Sequence, residues 1–187
     1  MHIYCAALRP PGNVQALVRP LQDHLLTHRG WTSVRAFPPL LPLGYALAAE
    51  DLPVAPEGSP ELAIGGLEVD QDTIIAPLQA PKALSALHAE VSECLPGDAT
   101  AIPEGFPRIG AGLFLGVNEG RVAASELQDL PTVAVTRVRQ WWYVVLNLEY
   151  EEPESWWKAL RWREVERIRL PKRSADGGKG QSRAPLG

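Results

Sequence analysis

The chain of 187 residues is 45% apolar and 21% charged, with a formal net charge of -4. That composition excludes wholesale disorder, and two cysteines exclude a disulfide framework, so the fold must stand on a hydrophobic core. No apolar run approaches the roughly 18 residues of a membrane helix, and Met1 to Pro11 lacks a basic leader, so a cytoplasmic protein with no membrane contact is expected.

Ile3 to Leu8 reads as an apolar strand, ended by Pro10-Pro11-Gly12. Val14, Leu17, Val18, Leu21 and Leu25 then recur at helical spacing, with Pro20 as a kink or a break into two helices and Gly30 as a stop. Thr32 to Phe37 and Leu40 to Leu47 read as strands around Pro38-Pro39, and 51–60 as an exposed loop. Leu62 to Val69 and Thr73 to Leu78 are the next strands. Pro81 opens a second helix with apolar Leu84, Leu87, Val91 and Leu95. Ile109 to Val117 is a Gly-interrupted strand, and Ala123 to Leu127 a turn of helix. Val133 to Leu148 alternates as one long strand with a bulge, and Glu151 to Trp157 starts a short helix. Residues 163–170 fit a strand or a helix, and 174–187 a flexible Gly/Ser-rich tail.

An internal repeat organises these elements. Ile3–Leu25 overlays Thr73–Leu95 at an offset of 70 residues, with Ala6 on Ala76, Leu8 on Leu78, Pro11 on Pro81 and Leu25 on Leu95. A shorter connection in the second copy brings Pro42-Leu43-Gly44 onto Arg108-Ile109-Gly110. The expected fold is α+β: one bilobed domain over 1–173, its halves at about 1–66 and 67–170. Two strand–helix–strand units related by a pseudo-twofold then place antiparallel sheets on either side of a central groove.

This layout resembles the LigT-like 2H phosphoesterases, a family of 2′-5′ RNA ligases and RNA cyclic phosphodiesterases. The resemblance rests on Ile3 to Pro11 and the helix after it, Phe37-Pro38-Pro39, Thr73–Leu95 and Gly105-Phe106-Pro107-Arg108. It implies two His-x-Thr/Ser motifs facing each other in the groove, one His as general base and one as general acid. The four histidines are followed two positions later by Tyr4, Leu26, Gly30 and Glu90, so no such motif is present. The motif places hold Pro42 and Gly44 in one half and Arg108 and Gly110 in the other. Proline and glycine cannot move protons, and arginine stays charged. No catalytic residue carries over, and the expectation is a non-catalytic relative. A divergent RNA or nucleotide phosphodiesterase, or a self-associating module outside that family, are the alternatives.

Charge and aromatic residues supply the binding candidates. Residues 36–107 hold 11 acids and one base, and 158–187 nine bases and three acids, which disfavours long nucleic acid. Strand alternation puts Arg137, Arg139, Trp141 and Tyr143 on one face, and Arg108 stands in the second motif place. These five are the candidate ligand-binding residues for a small phosphorylated ligand or a short RNA, since rings stack on bases and guanidinium groups hold phosphate. Trp141, Trp156 and Trp157 are the candidates for a protein partner or self-association. Gly110-Ala111-Gly112 to Gly116 sits in a strand and fits close strand approach better than a dinucleotide site. His24 and His28 share a helix face without a third ligand, so neither metal nor cofactor is expected.

Overall fold

Ile3 to Leu8 is apolar at every position because both faces of its strand are covered. The computed structural model describes residues 1–70, 72–79, 102–127 and 130–172. Strand β1 (His2–Arg9) runs antiparallel between β2 (Leu41–Ala46) and β8 (Trp142–Glu149), and β9 (Arg161–Arg169) completes the order β2-β1-β8-β9. A second sheet has the order β4-β5-β6, from Glu68–Asp70, Thr73–Pro77 and Gly112–Val117. Strands β3 (Leu62–Ile64) and β7 (Thr136–Val138) form a separate pair.

Helix α1 spans Gly12–Arg29 without a break, and Pro20 lies inside it. Pro20 removes one N–H, but both it and Ala16, whose carbonyl loses that donor, are exposed. Gly30 ends the helix at φ 69°, where its N–H and that of Trp31 cap Leu26 and Leu25. The buried stripe Val14, Val18, Leu21 and Leu25 packs with Ala6, Leu8, Leu41 and Leu43, which form one core. The other face of the sheet carries a second core with Cys5, Ala7, Val144, Leu146 and Leu148.

Several expected strands are reorganised. Thr32 to Phe37 is a 3-10 turn at Ser33–Arg35, because the buried Ser33 hydroxyl bonds the Val117 backbone, accepting at 3.0 Å and donating at 3.2 Å. Leu62 to Val69 breaks into β3 and β4 at Gly65-Gly66, where Gly66 has φ +82°. Residues 51–60 pack rather than project: Leu52, Pro53, Pro56 and 58–60 are buried. Val133 to Leu148 splits into β7 and β8, which belong to different sheets. The switch is fixed at Trp141, whose backbone N–H donates to Ser59 Oγ at 3.1 Å and whose indole N–H donates to the Pro60 carbonyl at 3.0 Å. Residues 163–169 lie in strand β9, which settles the segment as a strand that ends before Leu170. The predicted second helix at 81–95 and the tail at 174–187 lie outside the described residues.

The repeat survives at the level of hairpins, with a corrected register. Ala7 pairs with Pro42, and Pro77 pairs with Gly112. The offset from Ala7 to Pro77 is also the offset from Pro42 to Gly112, so no shortening is needed. Each hairpin carries a bulge, between Ala6 and Ala7 in one and between Ile74 and Ile75 in the other. The equivalent of Pro42 is therefore Gly112 rather than Arg108.

Candidate functional site

The two motif places meet, and they meet as backbone. The Gly110 N–H donates to the Pro42 carbonyl at 3.2 Å, and the Phe114 N–H to the Leu40 carbonyl at 2.9 Å. Pro42, Gly44, Gly110 and Gly112 are all buried. Neither register supplies an imidazole or a hydroxyl at these places.

The sheet face that would floor a groove is filled by rings instead. Phe106 lies 4.3 Å from Trp156, 5.6 Å from Tyr150 and 5.7 Å from Tyr45 between ring centroids. Phe37 lies 5.5 Å from Trp156 and 6.0 Å from Phe114. Trp156 is fully buried and donates its indole N–H to the Glu104 carbonyl at 3.1 Å. Segment 102–110 and the 3-10 turn Pro153–Lys158 bring Phe106 and Trp156 onto Cys5, Ala7 and Leu146 of the sheet.

A cleft of about 360 Å³ remains at the edge of this cluster. Tyr45 and Phe106 line it with Asp70, Asp72, Glu104 and Arg108. Arg108 Nη1 donates to Asp70 Oδ1 at 2.6 Å, so the one cation of this rim among the described residues is held by a carboxylate. The Tyr45 hydroxyl donates to the Pro107 carbonyl at 2.7 Å, and burial raises its pKa well above the ordinary value. Burial likewise pushes the Cys5 thiol up to about 12. Neither is a base or a nucleophile near neutral pH. Among the described residues, three carboxylates against one paired guanidinium disfavour a phosphate in this cleft.

The remaining predicted site residues do not form one face. Arg137 and Arg139 are exposed and converge on Glu61, at 3.8 and 3.0 Å. Trp141 is fully buried. Tyr143 is buried and donates its hydroxyl to the Pro53 carbonyl at 2.6 Å. Their expected common face fails because β7 ends at Val138 and β8 begins at Trp142. Trp141 and Trp156 are both interior, which corrects the reading of them as contact residues.

Burial gives the buried acids of this core a common pH response. Tyr143 is raised from 10 to about 12 and Cys5 from 9 to about 12. Above pH 9 the unfolded chain therefore binds fewer protons than the folded one, and stability falls as pH rises. Urea midpoints are expected to hold flat to about pH 9 and to drop between pH 10 and 12, with Cys5 unreactive toward a thiol reagent until the chain unfolds.

The structure assembles a different arginine–tryptophan group from the one expected. Arg167 and Arg169 place their guanidinium carbons 5.4 and 6.0 Å from the centre of the Trp142 ring. Arg9 joins them through Glu164, which binds Arg9 at 3.1 Å and Arg167 at 2.8 Å. Pairing across the sheet sets one row as Pro42, Ala7, Val144 and Arg167, and another as Arg9, Trp142 and Arg169. Alternation puts both rows on the face that carries the aromatic cluster. Trp162 and Glu164 join Arg167 and Arg169 on one face only through the bulge opposite Val145 and Leu146, so period-two alternation in the sequence could not show the group.

The other motifs resolve simply. Gly112 and Gly116 are strand glycines at close approaches, where an added Cβ would lie 2.6 Å from the Ala76 carbonyl oxygen and 2.7 Å from Val34 Cγ1. His24 and His28 contact each other at 4.3 Å, and no group of three metal-ligating side chains occurs among the described residues.

No family model and no curated protein sequence matches the chain. Among solved structures, E. coli LigT complexed with ATP superposes with a TM-score of 0.53 at 9% identity, covering 91% of this chain and 99% of that one. E. coli LigT complexed with NADP+ gives 0.53 at 11% identity, covering 90% and 97%. A phosphoesterase gives 0.52 at 10% identity, covering 92% and 100%. The chain has a LigT-like fold.

Proposed function

We propose that this chain is a non-catalytic protein of the LigT-like fold that binds a small phosphorylated ligand. The observation that carries the reading is the pair of guanidinium groups of Arg167 and Arg169 over Trp142, in cross-strand rows with Pro42 and Arg9. Guanidinium groups bind phosphate in bidentate fashion, and an indole face accepts a base or another flat ring. Two solved neighbours are complexes with ATP and with NADP+, both phosphorylated and both carrying adenine, and this agrees with the ligand class. Pro42 and Gly112 at the motif places support the non-catalytic reading. Arg108 remains available at the acidic rim only at the expense of its contact with Asp70, so it is assigned no phosphate.

The test is a titration of labelled ATP and a short RNA against wild type and an Arg167→Ala, Arg169→Ala double variant, with turnover followed in the same samples. Wild type is expected to bind with a shallow salt dependence set by only a few contacts, to release no hydrolysis product, and to lose about tenfold or more of its affinity in the variant. Equal binding by both proteins would overturn the site, and turnover of a 2′,3′-cyclic nucleotide by wild type would overturn the non-catalytic reading.

A further inference from the structure

The outer edge of β9 is the longest unpartnered strand edge among the described residues. It has nine residues, its ladder partner is β8 alone, and it contains no proline. An edge strand leaves alternate N–H and C=O groups open to another chain, and proteins usually shorten or blunt such edges. This one is long and carries apolar side chains as well. Trp162 is 40% exposed, Val165 45% and Ile168 39%, three of the eight large exposed hydrophobics found. On the α1 side of the sheet Val165 and Ile168 border a cleft of about 620 Å³, together with Leu52, Val54, Tyr143, Val145 and the carboxylates of Glu50 and Glu166.

Charge decides what fits there. Residues 161–172 hold five bases and two acids. Glu164 is already held by Arg9 and Arg167, while Arg161, Arg163 and Arg169 have no ion-pair partner among the described residues. A second copy pairing antiparallel about Val165 would set Arg161 against Arg169 and Arg163 against Arg167 of the other copy. Shifting the centre to Glu164 or Glu166 sets that glutamate against itself and still opposes two arginines. Like charges directly opposite are destabilising, so self-pairing is disfavoured. An acidic strand meets the same arginines with the opposite sign. Nucleic acid would gain from the arginines too, but Glu50 and Glu166 line the cleft beside them and the open backbone edge offers it nothing, whereas an extended peptide pairs with that edge.

We propose that β9 is a docking edge for an extended segment of another protein in which acidic and apolar residues alternate, added to the sheet as a further strand. The backbone edge supplies hydrogen bonds, Arg161 and Arg163, which share the α1 face, select the acidic side chains, and the exposed Trp162 on the opposite face takes an apolar one. The proposal is independent of phosphate binding at Trp142.

The test uses the full chain and fluorescein-labelled short peptides. One alternates Glu and Val, one alternates Lys and Val, and one is the Glu/Val peptide N-methylated at every second residue. A labelled oligouridylate is the nucleic-acid probe. The Glu/Val peptide is expected to bind, with the Lys/Val peptide and the N-methylated peptide each at least about tenfold weaker. An Arg161→Glu, Arg163→Glu variant is expected to lose about tenfold for the Glu/Val peptide, with an unchanged melting temperature and unchanged ATP titration. Charge reversal on an exposed strand could perturb the edge, so Arg161→Gln, Arg163→Gln is measured beside it and is expected to weaken the same peptide in the same direction. Equal binding of the two charges, no effect of N-methylation, binding of oligouridylate alone, or no peptide binding at all would each overturn the proposal. Loss of ATP binding in the Arg167, Arg169 variant with peptide binding retained would separate the two sites.

Discussion

Replacing Trp156 with Ala is expected to destabilise the folded chain by about 3–5 kcal/mol, the range for removing a large buried aromatic side chain. Trp156 is fully buried, with Phe106 at 4.3 Å and Phe37 at 5.5 Å. Its indole N–H also holds the Glu104 carbonyl, which orients segment 102–110 over the sheet. Alanine removes the ring contacts and that donor together, and the surrounding rings cannot all close the gap because Phe37 and Phe106 each have other ring partners. Phenylalanine keeps most of the volume and loses the donor, so it should cost about 1–2 kcal/mol, near the value of one buried hydrogen bond. Urea unfolding of the three proteins decides it. A cost below about 1 kcal/mol for alanine would mean that the ring cluster is loosely packed and that the space over the sheet is open to a ligand.

That cluster explains why part of the molecule was legible in the sequence and part was not. The hairpins were legible because their signals are local. Ile3 to Leu8 and Thr73 to Leu78 are unbroken apolar runs, and the 70-residue offset between them matches the pairing of Ala7 with Pro42 and of Pro77 with Gly112. The register of the second motif place was not legible, because Arg108-Ile109-Gly110 resembles the start of a strand while the ladder begins at Gly112. Alternation along 133–148 pointed to one strand, but the Ser59 hydroxyl and the Pro60 carbonyl hold Trp141 at a switch between sheets. One residue of difference then sets Trp142, rather than Trp141, beside the arginines of β9. Pairing between distant segments produced that difference, and no local window contains it.

The charge asymmetry was legible and its meaning was not. The acidic stretch contributes Asp70, Asp72 and Glu104 to one cleft, where they hold Arg108. The basic stretch contributes Arg161, Arg163, Arg167 and Arg169 to a single strand. Sequence separates the two signs, and the fold places the acids around one cleft and the bases along one strand.

Gly112→Ala is expected to cost roughly 1–3 kcal/mol, the usual penalty for forcing extra volume into a closed contact. A Cβ at Gly112 would sit 2.6 Å from the Ala76 carbonyl oxygen and 3.0 Å from the Pro77 Cα, and both neighbours are backbone. A flexible side chain could swing away from such an atom. Here a ladder partner must move, and Pro77 is the residue Gly112 pairs with. Gly12→Ala is the control, because nothing lies within 4 Å of its Cβ position and it opens α1, so it should be neutral or slightly stabilising. The comparison bears on chemistry as well as stability. Gly112 occupies the place of the second motif in the corrected register, so a cost there means that no side chain of any kind fits where a proton-transferring group would stand. A Gly112→Ala protein with an unchanged urea midpoint would show room at that place and would reopen the case for a residue acting there.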